Sequence, residues 1–227
     1  MIVTVFIPKA IITATASFDT FFESQESEDG TRLAPIYMEG LPHTYTFWNR
    51  YSIMFNSINK YSYEADLIDR FGSLTNRWDE IPTIVDFVPY LKKMLIDYHV
   101  QIIGVLSGFD ESGTPYVYQI LGESVRRINL DNDGKINYNC VYLERTPHIG
   151  KLLQQTRVKN GDTWEESPEV RLRCDLYSKK KAIDICRFML RTNYYVDNIN
   201  SASLDTPLKV DLTIVTPLGV EAQHINI

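Results

Sequence analysis

Asn129–Cys140, reading NLDNDGKINYNC, sets Asn129, Asp131 and Asp133 at the spacing of the first half of a calcium loop, with Gly134 at the sharp turn. The twelfth position must supply a bidentate glutamate and is Cys140, so the stretch reads as a tight hairpin turn. A second acidic run, ESQESEDG, gathers Glu23, Glu26, Glu28 and Asp29. Nothing rigid aims these carboxylates, so the run is expected to be a solvated loop. The histidines, His43, His99, His148 and His224, never pair at i, i+3 or i, i+4, and no metal site is expected from them. Cys140 and Cys186 lie on apolar patterns without a histidine motif and read as packing residues. There is neither G-x-S-x-G nor a phosphate-cradling G-x-x-x-x-G-K-[ST], and in GVLSG the serine, Ser107, stands fourth rather than third. Lys179-Lys180-Lys181 reads as a solvated helix face. No cofactor is expected.

Composition narrows the setting. A net charge of −6 and a pI near 5.3 argue against a surface built to neutralise phosphates, so no nucleic-acid partner is expected. No apolar run approaches the roughly 20 residues of a membrane span. The opening MIVTVFIPK lacks the features of a signal peptide. Three cysteines without paired spacing suit reduced thiols, and a cytoplasmic location is expected.

The elements that must position any site follow from periodicity. IVTVFI and AIITATASF read as strands joined at Pro8-Lys9, and HTYTFW and YSIMFNSI as two more. Helical spacing places Ala65, Ile68 and Phe71 on one face after an N-cap at Ser62, and Ile84, Phe87, Leu91, Leu95 and Tyr98 on another, with Pro89 inside the second pattern. Then IIGVLSGFDESGTPYVYQI forms a hairpin whose Asp110–Gly113 turn ends on a left-handed glycine. Strand candidates SVRRINL and KINYNCVYL follow across DNDG. A helix opens at Thr146-Pro147 over HIGKLLQQT, NGDTWEESPE is a loop, and Ser178 caps a helix presenting Ala182, Ile185, Cys186, Met189 and Leu190. KVDLTIVTP and GVEAQHINI close the chain as a hairpin across Pro217-Leu218-Gly219. No linker divides residues 1–227, so a single domain is expected. The order strands, helix pair, strands, helix pair, strands predicts an α+β fold built as a four-layer αββα sandwich, each helix pair covering one sheet.

The hairpin from Gly108 to Tyr118 has the form G-x-D-x-x-G-x-P-x-x-Y, and the preceding helix reads YEADLIDRF with Ala65-Asp66. With TPLKVDLTIVTPLGV near the end, this is similar to proteasome β-type subunits, which are N-terminal-nucleophile (Ntn) hydrolases. The resemblance covers most of the chain in order, without near identity in any segment. It implies a threonine nucleophile whose own α-amine is the base, tuned by a lysine and an aspartate.

Carried onto this sequence, the resemblance makes Thr4 the nucleophile and Asp19 the aspartate. His43 stands where the lysine belongs, and a neutral imidazole replaces that cation poorly. Met1-Ile2-Val3 precede Thr4, and bulky Ile2 disfavours removal of the methionine, so the amine is expected to be blocked. With the register shifted by about three residues, Ala16 takes the place of the aspartate and Thr4 lies inside the strand. The expectation is therefore a proteasome-like subunit without peptidase activity, acting as an assembly or binding component. The alternatives are an active threonine peptidase or amidase that uses Thr4 after processing, on a protein or peptide substrate, and an unrelated α+β binding domain. Relatives work as rings, and Trp78, Tyr90, Phe188, Tyr194 and Tyr195 are aromatic residues on helical segments, so a homo-oligomer is expected.

Overall fold

The computed structural model describes residues 1–16, 18–27, 30–39, 44–57, 62–100, 102–143, 157–160, 163–166, 172–197 and 208–227. Two five-stranded antiparallel sheets organise them. The first sheet has the order β10-β1-β2-β13-β14, from Cys140–Leu143, Ile2–Ile7, Ala10–Ala16, Lys209–Thr216 and Gly219–Asn226. The second runs β5-β6-β7-β8-β9, from Thr44–Phe47, Tyr51–Ser57, Ile102–Phe109, Pro115–Leu121 and Ser124–Arg127. Two further hairpins stand as separate two-stranded sheets: β3 Phe18–Ser27 with β4 Gly30–Glu39, and β11 Arg157–Asn160 with β12 Thr163–Glu166.

The alternation of side chains decides what each sheet face meets. On β1, Val3, Val5 and Ile7 point to helix α3 (Lys179–Asp197), and Ile2 and Phe6 point to the other sheet. Both faces are therefore buried, which is why β1 and β2 read as near-continuous runs of apolar residues and threonine. Residues from both sheets, among them Ile2, Phe6, Ile11, Met54, Val105, Val117 and Val215, fill the space between them. Helices α1 (Ser62–Thr75) and α2 (Ile84–Asp97) cover the outer face of the second sheet through Leu67, Phe71, Ile84, Phe87 and Leu91. Thr83 caps α2, its hydroxyl accepting from the Asp86 amide at 3.2 Å and donating to the Asp86 carboxylate at 2.7 Å. Pro89 lies inside this helix.

The four-layer αββα Ntn sandwich is corrected by this architecture. The chain is mostly β, and among the described residues only three α-helices accompany the two five-stranded sheets. Among the described residues a single α-helix covers the first sheet, where a helix pair is expected, and the segment HIGKLLQQT lies outside the described residues. The physical cause is strand content hidden in polar sequence. ESQESEDG and NGDTWEESPE are expected as loops, yet much of each belongs to a hairpin, paired Phe18↔Glu39 to Ser27↔Gly30 and Arg157↔Glu166 to Asn160↔Thr163. The tight hairpins at Pro8-Lys9, Asp110–Thr114 and Pro217-Leu218 stand where the sequence places them.

Candidate functional site

Thr4 sits in the middle of β1, fully buried, opposite Thr13 on β2 and Val141 on β10. Its hydroxyl donates to the Thr13 hydroxyl at 3.3 Å. Thr13 in turn stands opposite Thr213, so three hydroxyls form a row across the first sheet, on its face toward the second. The Thr213 hydroxyl and the Ser52 hydroxyl of the facing sheet have no hydrogen-bond partner. Aliphatic hydroxyls need a base to become nucleophiles, and Thr4 contacts none among the described residues. Three residues of extended strand separate it from the Met1 amine, a span of about 10 Å. The Asp19 backbone lies in β3, opposite Met38, and its side chain falls outside the described residues, as does His43. The structure therefore places Thr4 in the sheet interior and does not bring a described carboxylate to it.

A different polar pair occupies the edge of the same sheet. The two-residue turn at Pro217-Leu218 sets the register of β13 and β14, which puts Asp211 opposite His224. The Asp211 carboxylate is nearly buried, and it holds Nδ1 of the exposed His224 imidazole in a short hydrogen bond. Thr15 stands opposite Asp211 on the neighbouring strand, and its hydroxyl donates to the Met1 carbonyl at 3.0 Å. This is an oriented imidazole with an open Nε2, the geometry of a general base. No described hydroxyl or thiol hydrogen-bonds to that nitrogen, so proton transfer to solvent is the chemistry the pair supports by itself. In the sequence His224 has no histidine partner at i, i+3 or i, i+4, and nothing in its spacing marks it for chemistry. Counting outward from the two-residue turn is the signal that finds the pair.

The calcium-like stretch forms a turn. One Asp131 carboxylate oxygen accepts from the Asp133 and Lys135 amides at 2.9 and 2.8 Å, and Gly134 takes φ 78°. Asn129 is buried, and its amide serves β8: Nδ2 donates to the Pro115 carbonyl at 2.7 Å, and Oδ1 accepts from the Val117 amide at 3.2 Å. Among the described residues no group of three His, Cys, Asp or Glu side chains could hold a metal.

The thiols are set for packing. Burial pushes Cys140 up to about 12 and Cys174 up to about 11, and raises Cys186 well above the usual thiol range. The Cys186 thiol donates to the Ile12 carbonyl at 3.7 Å. Thiols so strongly protonated are poor nucleophiles.

Large apolar side chains are also exposed on the helices. On α2, Val85 and Tyr90 are each 50% exposed, and the Tyr90 ring meets Trp78 edge-on at 4.9 Å. On α3, Phe188 is 62% exposed and Tyr195 40%, with the Arg191 guanidinium donating to the Tyr195 hydroxyl at 3.2 Å. Tyr194 is half-buried. Among the described residues no helix is long and apolar enough to cross a membrane.

No protein-family model matches the chain, and no curated protein is significantly similar to it.

Proposed function

We propose that this protein is a cytoplasmic, non-catalytic component that works by self-association through the outer faces of its helices. The observation that carries this reading is the exposure of large apolar side chains, Val85, Tyr90 and Phe188, on α2 and α3, which already bury full apolar faces against their sheets. A helix that has satisfied its own core and still presents aromatic residues to solvent has the composition of an interface centre. The absence of catalysis is supported by the burial of Thr4 and its hydrogen bond to another threonine. Three free cysteines support a reducing compartment.

Light scattering across micromolar concentrations tests the reading. The expected result is a mass that is a multiple of 26.2 kDa. A single species at the monomer mass, unchanged on concentration, overturns it. Peptide and amide reporter substrates are expected to show no turnover, and turnover that vanishes in Thr4→Ala overturns the non-catalytic part.

A further inference from the structure

The two exposed helix faces differ in charge as well as in position. The start of α2 and the residues just before it carry Asp79, Glu80 and Asp86 around Ile81, Val85 and Tyr90, all exposed. The outer stripe of α3 carries Lys180, Arg187 and Arg191 beside Phe188 and Tyr195, at the spacing that puts them on one side of a helix. The exceptions are Arg77 beside the first patch, Lys92 and Lys93 further along α2, where Lys93 is paired with Asp97 at 3.0 Å, and Asp184 on α3. One patch is acidic and apolar, the other basic and aromatic, and the same chain carries both. They also face away from each other, because α2 covers the outer side of the second sheet and α3 the outer side of the first.

We infer that the partner of the α3 face is the α2 face of a second copy of this chain, so that copies join head to tail. The inference rests on the self-association proposed above and adds its geometry. Like patches brought together across a two-fold axis would oppose Asp79, Glu80 and Asp86 to themselves, or Lys180, Arg187 and Arg191 to themselves, and like charges across an interface disfavour it. The unlike pairing sets cations against carboxylates around an aromatic centre. A contact between two different patches leaves one of each free at the ends, so it continues into a closed ring or an open filament.

Two interface variants separate this geometry from any other. Val85→Lys alters the α2 face and Phe188→Glu the α3 face. Both positions are at least half exposed, so the folded circular-dichroism spectrum is expected to be retained. In sedimentation velocity, each variant alone is expected at monomer mass. An equimolar mixture is expected at twice that mass and no higher, since only one intact contact can form. Arg187→Glu is expected to act like Phe188→Glu through charge alone, and raising salt is expected to weaken wild-type assembly. A wild-type oligomer whose Phe188→Glu and Arg187→Glu forms assemble normally, or whose variants fail to pair on mixing, overturns the head-to-tail contact while leaving self-association standing. A wild-type chain that stays monomeric overturns both.

Discussion

The two sheets bury their outer faces with different materials. Beneath α1 and α2 the core is aromatic, with Phe47, Tyr51, Phe55, Phe71 and Phe87 fully buried. Their rings meet at 4.8 Å (Phe47–Phe87), 5.5 Å (Phe47–Phe71) and 5.6 Å (Phe55–Phe71). Beneath α3 the core contains no fully buried aromatic ring among the described residues and includes Val3, Val5, Ile12, Ala14, Cys186, Met189 and Leu190. The strands explain the contrast. On β7, Gly104 and Gly108 occupy the face toward the helices, leaving room for neighbouring large side chains. On β2, Ala10 and Ala14 occupy the equivalent face and let the α3 backbone lie close. One side interlocks large rings over missing side chains. The other packs small, smooth surfaces.

If that contrast has energetic weight, truncation is felt more on the aromatic side. Phe87→Ala is expected to cost about 4 kcal/mol in urea denaturation, against about 3 kcal/mol for Leu190→Ala. Equal losses would mean that both cores are equally well packed despite their composition. The glycines sharpen the point. A Cβ at Gly108 would sit 2.4 Å from Tyr51 Cδ1 and 2.9 Å from Ile84 Cδ1, so Gly108→Ala is expected to destabilise by about 2 kcal/mol through overpacking. A neutral or stabilising outcome would show that the rings have slack. Tyr51 also donates its hydroxyl to the Pro82 carbonyl at 2.6 Å, and burial pushes its pKa above the usual phenol value. Tyr51→Phe leaves that carbonyl without this donor and is expected to cost about 1 kcal/mol.

The sulfur-containing side gives an effect that depends on pH. Cys140 and Cys174 titrate at about 12 and about 11 in the folded chain, above the value near 8.5 of an unfolded thiol. The folded state then binds more protons than the unfolded state, so this contribution is complete below about pH 8.5 and declines as pH rises toward the folded values. Stability measured from pH 8 to pH 10 is expected to fall. The fall is expected to shrink in Cys140→Ala, and an unchanged slope there would remove Cys140 as its source.

How much of this was legible follows from where the signals lie. The hairpins at Pro8-Lys9, Asp110–Thr114 and Pro217-Leu218 were readable because apolar strands flank short turns, and the Asp110 carboxylate fixes its turn by accepting from the Ser112 and Thr114 amides, each at 2.9 Å. The β3–β4 and β11–β12 hairpins are hard to read because ESQES in β3 and RVKN and TWEE in β11 and β12 lack the apolar alternation that marks a half-buried strand. Gly161-Asp162, between the paired Asn160 and Thr163, is a two-residue hairpin signal, whereas Glu28-Asp29, between the paired Ser27 and Gly30, is not. Thr4 was placed on its strand correctly, but burial on both faces of β1 comes from partners far along the chain. No local pattern announces it. The Asp211–His224 pair was available from turn geometry alone, once register was counted.

The order of the first sheet has a consequence for synthesis. Thr13 pairs with Thr213, two hundred residues later in the chain, so β2 cannot acquire its second neighbour until β13 has been made. At about 5–20 residues per second, that wait is about 10–40 s. For that interval the apolar run AIITATA presents an unpaired edge, the kind of surface on which nascent chains aggregate. Completion of the first sheet therefore waits for translation of its last two strands.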